Sequence, residues 1–475
     1  MSEAIPQEAK RYDLVVIGGG PAGVSAADAA ADLHKSVALI DCHRELGGAG
    51  INTGTVPSKT LRETALALSG IKSRALYGVD LSIRREVTVP DFLRHELSVK
   101  SGFNTLISQR LQAEQADIYF GQGVFIDPHT LRVQPRDGGE SVLLRGENVL
   151  IATGSSPVRP PLFPFGTAEV YDSDTILKLN RIPKRMAVIG AGVIGSEYGC
   201  TFAALGTEVH ILDGRETLLP FLDGEVSRAL ASALEGTGIR FHWKESVKEC
   251  VAEASGSLTL LLSSGATLEV DAVLVAAGRK SNTDNLGLEA AGVATEKRGL
   301  IAVDENYRTK VEHIYAAGDV IGFPALASTS MAQARQAVQH MFGVKTGHLS
   351  SLLPNGIYTI PEVSMVGETE ESLQKQGVAY VVGRGWYDKN ARGRIIGDST
   401  GFLKLIFRRD GMKLIGVHVM GELATEIVHI GLMAMLSERT ADIFIDACFN
   451  IPTLSMLYKT AALDALKNAA APVPA

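Results

Sequence analysis

Residues 14–23 read LVVIGGGPAG, and residues 186–195 read MAVIGAGVIG. Each stretch is an apolar run that ends in a glycine-rich turn of the form GxGxxG. A helical pattern and a second apolar run follow each turn, and the second run ends in Asp41 or in Asp213. In both copies the aspartate lies twenty-three positions after the first glycine. This order predicts two α/β units of the strand–turn–helix–strand type that binds nucleotides.

The glycines of each turn have separate physical tasks. The first allows a tight turn, the second lets the backbone approach a pyrophosphate, and the third lets the helix pack closely against the strand. The N–H groups and partial positive charge at the start of the helix attract phosphates. We therefore expect two dinucleotides to bind, one at Gly18, Gly20 and Gly23 and the other at Gly190, Gly192 and Gly195.

The two aspartates and a neighbouring arginine bear on which dinucleotide binds. Asp41 and Asp213 would each accept hydrogen bonds from an adenosine ribose, although aspartates are also common in ordinary turns at strand ends. Arg215 lies two residues after Asp213. Its guanidinium could meet a 2′-phosphate there, and an ordinary surface arginine fits the same spacing. If both residues bind ligand, the second site tolerates NAD and NADP.

Composition narrows the class of protein. The 475 residues carry a formal net charge of -7 and no dense basic stripe, which argues against a nucleic-acid partner. The first residues are polar and no apolar run reaches 18 residues, so we expect neither a signal peptide nor a membrane span. The 4 cysteines form no CxxC pair and no metal-ligand spacing. We therefore expect no metal site and a reducing, cytoplasmic location.

The remaining segments complete an α/β fold. Further short strands that end in small residues are expected at 149–154 (VLIATG), 273–278 (VLVAAG) and 314–320 (IYAAGDV). The proline-rich stretch 155–164 is expected to connect the two units. After residue 354, alternating segments predict an antiparallel sheet with helices, in which 404–409 (KLIFRR) forms a strand with a solvated edge. The fold class is thus two Rossmann-like dinucleotide-binding domains plus a C-terminal α+β domain.

The most specific stretch is 47–59, GGAGINTGTVPSK, in which Pro57 suits the first turn of a helix. With both glycine turns, IYAAGDV and the segment IPTLS at 451–455, it makes nearly the whole chain resemble the flavoprotein disulfide reductases, the family of dihydrolipoamide dehydrogenase and glutathione reductase. The resemblance implies FAD at the first turn and NAD(P) at the second. It assigns 1–158 and 286–350 to FAD binding, 159–285 to NAD(P) binding and 351–475 to dimerisation.

The chain departs from that family at the positions that carry its chemistry. The reductases have two cysteines where this chain has Gly50 and Thr55, and a histidine and a glutamate where it has Ile451 and Met456. The side chains of Gly50 and Thr55 contain no sulfur and cannot form a disulfide. The side chains of Ile451 and Met456 cannot donate or accept a proton in catalysis. Disulfide reduction is therefore excluded on chemical grounds.

One branch of the family, the soluble Si-specific NAD(P)⁺ transhydrogenases, lacks the redox disulfide. The segments GTVPSKTLRE, DVIGFPALA, GIYTIPEVS and ATEIVHIG are similar to that branch. The resemblance implies that hydride passes from NADPH to N5 of FAD and then to NAD⁺ at the same site, with no net proton and no need for an acid–base pair. Many members of that branch keep the first cysteine and a C-terminal glutamate, where this chain has Gly50 and Met456. This difference leaves the side chains around the flavin undetermined but does not affect the hydride route.

Three alternatives remain open at this point. The first is an FAD-dependent NAD(P)H reductase of a quinone or another small acceptor, and the second is a dihydrolipoamide dehydrogenase-like protein that has lost disulfide chemistry. The third is a redox-dead flavoprotein that serves as a binding component.

The resemblance also implies roles for individual residues. It places Lys59 beside flavin N5 and pairs it with Glu197, which borders the nicotinamide site; a surface lysine and a solvated helix residue are the ordinary alternatives. Further contacts to FAD are expected from Gly48, Gly123, Thr153, Gly154, Asp319 and Ala327. Gly278 and Arg279 are expected to contact the nicotinamide dinucleotide. The expected partners are the nicotinamide dinucleotides and further copies of this chain, as a homodimer or a higher homo-oligomer.

Overall fold

The computed structural model describes residues 8–69, 88–166, 169–254, 256–345, 347 and 349–470. The chain divides into two compact units, each assembled from three stretches. The first unit comprises Met1–Thr60, Leu93–Val158 and Ala277–Ser350, and the second comprises Leu61–Phe92, Arg159–Ala276 and Ser351–Ala475. The predicted division into FAD, NAD(P) and dimerisation segments, with a boundary at 285, stays a prediction.

The helices are given in chain order. They are α1 (Pro21–Asp32), α2 (Gly48–Asn52), α3 (Thr55–Ser69), α4 (Val89–Ala113), α5 (Val193–Ala204), α6 (Gly224–Gly236), α7 (Ala327–Met341), α8 (Glu370–Gln376), α9 (Ala391–Ile396), α10 (Ala424–Leu436), α11 (Asp442–Asp446) and α12 (Met456–Ala470). None of these described helices is both long and apolar enough to cross a membrane.

The strands are likewise given in chain order. They are β1 (Lys10–Ile17), β2 (Val37–Asp41), β3 (Asp117–Phe120), β4 (Gln122–Phe125), β5 (Thr130–Gln134), β6 (Val142–Ile151), β7 (Ser155–Pro157), β8 (Val170–Tyr171), β9 (Arg185–Ile189), β10 (Glu208–Asp213), β11 (Arg240–Trp243), β12 (Val247–Ala252), β13 (Leu258–Leu262), β14 (Thr267–Val270), β15 (Ala272–Val275), β16 (Arg279–Ser281), β17 (Ile314–Ala316), β18 (Asn355–Ile357), β19 (Val363–Gly367), β20 (Tyr380–Trp386), β21 (Phe402–Arg408) and β22 (Leu414–Met420).

The first unit is built on a mixed sheet in the order β3-β2-β1-β6-β5-β4, with β17 beside the end of β6. Strands β1, β2, β3 and β17 run parallel to their neighbours, and Leu14 lies opposite Val37. Both faces are covered, so the strands read as continuous apolar runs and not as alternating patterns. Burying each such valine or leucine stabilises the fold by about 1.5–3 kcal/mol.

The alanine-rich sequence of α1 follows from its packing. Helices α1 and α7 contact each other over one face of the sheet, and Ala26, Ala30, Ala334 and Ala337 are fully buried there. Small side chains let two helix backbones and the sheet approach closely. The first glycine turn is therefore held between a packed helix and a buried strand.

The second unit contains the parallel sheet β11-β10-β9-β15-β8, with α5 following β9. The antiparallel strands β12-β13-β14 pack on it, because Leu258 and Leu260 share a buried cluster with Val273 and Val275. This repeats the strand–turn–helix–strand order of the first unit. The two predicted Rossmann-like units are confirmed.

The C-terminal part of the second unit is an antiparallel sheet in the order β18-β19-β22-β21-β20. Helices α10 and α12 contact it, and Leu405, Val417, Tyr458 and Ala461 are fully buried between them. The predicted α+β domain is confirmed.

The predicted solvated edge at 404–409 was wrong for Lys404, although Arg408 and Arg409 at the end of the run are exposed. Strand β21 lies between β20 and β22, and Lys404 is only 1% exposed. Its ammonium is 2.7 Å from Asp223 and 3.0 Å from Glu225, and it also pairs with Glu370. Burial lowers the pKa of Lys404, but the hydrogen bonds to these carboxylates outweigh it and the pKa is raised. The charge pattern of the run could not show that the carboxylates lie in other elements.

The connection at 155–164 contains a strand that sequence patterns did not predict. Its first three residues form β7, which pairs antiparallel with β16 so that Ser155 lies opposite Ser281. The N–H of Val158 continues the pairing by donating to the carbonyl of Gly278 at 3.0 Å. Gly278 and Arg279 therefore belong to the first unit, not to the unit that contains the second glycine turn.

Candidate functional site

The first glycine turn joins β1 to α1. Gly18 has a φ of +107°, and a Cβ on it would lie 2.3 Å from the carbonyl oxygen of Ala152. A Cβ on Gly23 would lie 1.7 Å from the carbonyl oxygen of Gly18. Both positions therefore exclude any side chain, as the sequence pattern predicted.

The start of α1 offers uncompensated donors. Within the described chain no side chain caps the helix at Gly20, and its first turn carries no acidic residue. The first N–H groups of a helix have no partner within it, and they lie at the positive end of the helix dipole. Gly48 begins α2 close by, since a Cβ on Gly48 would lie 2.8 Å from the Cα of Gly20. Two glycine backbones thus flank this donor set, which suits a pyrophosphate.

Asp41 ties the first turn to β2. Its carboxylate accepts hydrogen bonds from the N–H of Gly19 at 2.6 Å and from the N–H of His43 at 2.7 Å, and the residue is 8% exposed. A carboxylate has about four lone-pair sites. The structure therefore gives Asp41 a turn-stabilising task and leaves it acceptor capacity for a ribose hydroxyl.

The ends of β6 and β17 bring several predicted residues together. The hydroxyl of Ser155 donates to Asp319 at 2.7 Å and accepts from Nε of Arg279 at 2.8 Å. Thr153 precedes this network, and its buried hydroxyl has no hydrogen-bond partner among the described residues. Gly154 follows at a φ of +68°. A buried hydroxyl with no partner among the described residues, two positions before the serine that binds a half-buried carboxylate, suits a polar ligand such as the ribityl and phosphate part of a flavin.

The remaining residues predicted to contact FAD lie in three elements of the first unit. Gly123 is buried in β4, where a Cβ would lie 3.2 Å from the side chain of Ile40. Ala327 is the first residue of α7, and Lys59 lies in α3. The Nζ atom of Lys59 donates to the hydroxyl of Ser58 at 3.2 Å, and the side chain is half-buried.

The second glycine turn repeats the geometry of the first. Gly190 has a φ of +109°, and a Cβ on Gly195 would lie 1.9 Å from the carbonyl oxygen of Gly190. At Gly192, where α5 begins, none of the described atoms lies within 4 Å of an added Cβ. Helix α5 also begins without a side-chain cap among the described residues and without an acid in its first turn. The donor set again suits a dinucleotide phosphate.

Asp213 and Arg215 form an ion pair with each other. The Nε and Nη2 atoms of Arg215 donate to the two carboxylate oxygens at 2.9 and 2.7 Å, and the N–H groups of Arg215 and Ala191 each add a hydrogen bond at 2.8 Å. The hydrogen bond from Arg215 is the largest cause that lowers the pKa of Asp213 to about 2. The arginine side chain is half exposed and the aspartate is buried. The two residues predicted to select the dinucleotide therefore bind each other, so a ligand that engages one of them changes the contacts of the other.

Glu197 is buried, so the alternative that it is a solvated helix residue was wrong. It lies in α5 at 5% exposure, and its Oε1 atom accepts a hydrogen bond from the N–H of Tyr358 at 2.9 Å. Lys59 lies in the other compact unit. The predicted pairing of Lys59 with Glu197 stays a prediction.

The positions of the missing dithiol are Gly50 in α2 and Thr55 at the start of α3. A Cβ on Gly50 would lie 2.6 Å from the Cγ atom of Pro21, so a larger residue would force a shift. Ile451 is 67% exposed and Met456 begins α12.

Sequence reasoning did not single out three residues of these networks. Ser155 directly follows the predicted Thr153-Gly154 pair, Tyr358 precedes β19, and Arg62 lies three positions after Lys59 in α3. The helical spacing of three places Arg62 on the same side of α3 as Lys59. That spacing was the only local signal for Arg62.

Two family descriptions match the chain. "Pyridine nucleotide-disulphide oxidoreductase" covers residues 12–340, and the dimerisation domain of the same family covers residues 353–462. The soluble pyridine nucleotide transhydrogenase of Mycobacterium tuberculosis is 45% identical over 97% of this chain and 98% of its own length. That of Hahella chejuensis is 40% identical over 96% of this chain and 99% of its own.

Solved structures show the same fold. The HOCl-induced flavoprotein disulfide reductase RclA from Escherichia coli has a TM-score of 0.86 at 27% identity, covering 95% of this chain and 99% of that one. LpdA from Mycobacterium tuberculosis has a TM-score of 0.88 at 26% identity, covering 96% and 99%.

Proposed function

Because this chain belongs to the pyridine nucleotide-disulphide oxidoreductase family, among the soluble pyridine nucleotide transhydrogenases, we propose how its residues carry out hydride exchange between NADPH and NAD⁺. The chain is a flavin-dependent oxidoreductase, and the reaction sums to NADPH + NAD⁺ = NADP⁺ + NADH. One observation carries the proposal: both dinucleotide turns are intact, while Gly50 and Thr55 replace the dithiol that disulfide reduction requires. The reaction consumes no net proton, so Ile451 and Met456 are compatible with it.

The donor set of the first unit supports FAD as the resident cofactor. When bound, FAD supplies an N5 atom that accepts hydride from one nicotinamide and returns it to the other. The start of α1 between Gly20 and Gly48 would hold the pyrophosphate, and Asp41 would accept a ribose hydroxyl. Asp319, oriented by Ser155, and the unpartnered hydroxyl of Thr153 would bind the polar chain of the flavin.

The second turn would bind NAD(H) and NADP(H) in succession. Gly190, Gly192 and Gly195 would hold the pyrophosphate at the start of α5. With NAD(H), Asp213 would accept the 2′-hydroxyl of the ribose; with NADP(H), Arg215 would leave Asp213 and bind the 2′-phosphate. The ion pair of these two residues lets one site serve both ligands, because each ligand engages a different member of the pair.

Lys59 and Glu197 would serve the hydride step itself. An ammonium near the flavin ring would stabilise the negative charge that develops there, and a buried carboxylate would keep that ammonium charged and oriented. We expect Lys59→Met to retain FAD and to slow the bleaching of the flavin absorbance by NADPH in anaerobic stopped-flow experiments. A variant that bleaches at the wild-type rate would remove Lys59 from the proposal.

The C-terminal domain supports a homodimer, while the cytoplasmic location expected from the sequence stays a prediction. Its family description names dimerisation, and its helices carry apolar side chains that are 40–61% exposed in the single chain: Met433, Leu436, Ile443, Leu463 and Leu466. Exposed apolar side chains on neighbouring helices are typical of a subunit interface. Light scattering after size exclusion should give twice the mass of the chain, and a monomer at micromolar concentration would reject the dimer.

The reaction is tested with NADPH and the thio analogue of NAD⁺, followed anaerobically with the purified holoprotein. We expect reduction of the analogue without any added acceptor. If the analogue stays oxidised while a quinone is reduced, the quinone reductase alternative replaces this proposal. Bound FAD that neither nicotinamide bleaches would support the redox-dead alternative.

A further inference from the structure

Arg62 is a buried arginine in α3, with a side chain that is 4% exposed. Its Nε atom donates to the carbonyl of Thr359 at 3.0 Å, and its Nη2 atom lies 3.2 Å from Oε1 of Glu362. Its Nη1 atom donates to Glu63 at 2.6 Å. The planar fork of a guanidinium thus reaches a backbone and a side-chain acceptor of one short segment, which a lysine cannot do.

That segment, residues 358–362, is here named the strap. Its Tyr358 N–H donates to Oε1 of Glu197 at 2.9 Å. At its other end, Oε2 of Glu362 accepts from the hydroxyl of Thr425 at 2.9 Å and lies 3.3 Å from its N–H, at the start of α10. The strap therefore connects α3 and α10 to the carboxylate of Glu197.

Only one peptide separates the two anchored groups of the strap. The amide of Tyr358 binds Glu197, and the carbonyl of the next residue, Thr359, binds Arg62. Thr359 is fully buried, so in the folded protein its carbonyl is bound by Arg62 and is shielded from solvent. A rotation of this short piece of backbone would turn the amide away from Glu197.

Stability alone does not account for this arrangement. Replacing a buried ion pair by apolar residues of similar volume is often neutral or stabilising, whereas removing one partner is strongly destabilising. The specific property of the Arg62–Glu362 pair is directional, because the fork fixes the orientation of the strap. Groups that hold a functional side chain to within a fraction of an ångström have large effects on rate.

We propose that Arg62 is a positioning residue for hydride transfer, which acts through the strap on the carboxylate of Glu197. The inference rests on the role proposed above for Glu197. Without Arg62, Glu362 keeps its contacts to α10 and to the N–H of Gly421, but the carbonyl of Thr359 loses its donor and the strap is held less firmly between its two ends. Glu197 then spends less time in the orientation that the Tyr358 amide imposes.

The test measures anaerobic reduction of the holoenzyme by NADPH in a stopped-flow instrument. We expect Arg62→Gln and Glu362→Gln to slow the reduction rate about 10- to 100-fold. The KM for NADPH and the flavin absorbance should change little. Arg62→Lys, which retains the charge without the fork, should recover only part of the rate.

Arg159→Gln is the control for the loss of an arginine from a buried carboxylate, although Arg159 itself is half exposed and Arg62 is buried. Arg159 pairs at 2.6 Å with Asp172, which is fully buried, so its loss also leaves a buried carboxylate without its arginine but does not touch the strap. We expect it to lower the melting temperature as Arg62→Gln does and to leave the reduction rate unchanged. Equal slowing in the control would overturn the positioning role, because destabilisation alone would then explain both rates.

A double variant distinguishes the positioning role of Arg62 from the role of Glu197 in hydride transfer. If Arg62 acts through Glu197, then Arg62→Gln combined with Glu197→Gln is reduced no more slowly than the slower single variant. Multiplied losses, or wild-type rates in both Arg62→Gln and Glu362→Gln, would overturn the positioning role of Arg62 alone. A wild-type rate in Glu197→Gln would instead reject the role of Glu197, and this inference with it.

Discussion

Replacing Arg215 by alanine should separate the two dinucleotide specificities of the second site. In the protein its guanidinium occupies both carboxylate oxygens of Asp213. NADPH must draw the arginine off the aspartate before its 2′-phosphate is bound, whereas NADH needs only the aspartate. The substitution therefore removes a group that favours NADPH and frees one that favours NADH.

The magnitude follows from the ion pair. The pKa of Asp213 falls from 3.8 to about 2, chiefly through the hydrogen bond from Arg215 and with help from two backbone amides. Since a tenfold change in proton affinity corresponds to about 1.4 kcal/mol, these contacts together stabilise the carboxylate by about 2 kcal/mol. The half-exposed arginine contributes about 1 kcal/mol of this after solvent screening. A charge-assisted contact to phosphate provides about 1.5–3 kcal/mol, so the exchange favours NADPH binding by about 0.5–2 kcal/mol.

We therefore expect Arg215→Ala to lower kcat/KM for NADPH about 2- to 30-fold. The value for NADH should stay within about threefold, because Asp213 remains. Steady-state rates with NADPH and NADH against the thio analogues measure both values. Arg240→Ala is the control, since Arg240 is an exposed arginine of the same unit that pairs with Glu208 at 2.7 Å. Equal losses for both dinucleotides, or an unchanged ratio, would refute the coupling of Asp213 and Arg215.

Further predictions concern the second turn and two buried charges. Gly195→Ala places a Cβ 1.9 Å from the carbonyl oxygen of Gly190. We expect the variant to retain FAD, as its absorbance would show, and the rate of flavin reduction by NADPH to fall at least about 100-fold in stopped-flow experiments. Lys404→Met leaves the carboxylates of Asp223 and Glu370 without their cation, while Glu225 keeps Arg384. It should destabilise the protein by about 3–5 kcal/mol. Lys413→Met breaks an exposed ion pair with Glu438 and should have an effect below about 1 kcal/mol; urea unfolding compares the two variants. Burial raises the pKa of Asp28 to about 7, so the folded state holds this proton above the unfolded pKa, and stability falls as pH rises from about 4 to 7. Asp28→Asn should remove that fall and raise the melting temperature at pH 8 more than at pH 5, and equal gains at both pH values would contradict the assignment.

Local patterns were sufficient for the turns because their requirements are local. Gly18 and Gly190 adopt a positive φ, and Gly23 and Gly195 lie against a carbonyl five residues earlier in the chain. The spacing of such glycines between an apolar run and a helical pattern contains the whole constraint. The strands β1, β2, β9 and β10 were predicted for the same reason, since buried parallel strands read as apolar runs.

Charged side chains were harder to place. The pattern KLIFRR predicted a solvated edge, but Lys404 is buried against carboxylates from α6, α8 and the residue before α6. Glu197 and Arg62 are also buried, and each is bound by the strap. Whether these charged residues are buried depends on hydrogen-bond partners in other elements, which lie 34 to 297 positions away in sequence. Composition and periodicity contain no information about those partners.

The sequence by itself determined the two dinucleotide turns, the α/β fold class and the absence of a dithiol at Gly50 and Thr55, because each depends on residue type at a fixed local spacing. Only the tertiary structure decided that Arg215 forms an ion pair with Asp213 and that Arg62 binds the strap whose Tyr358 amide binds Glu197. The physical reason is that hydrogen bonds of buried charges are directional and short-ranged, so they depend on where side chains and backbone groups meet after the elements have packed.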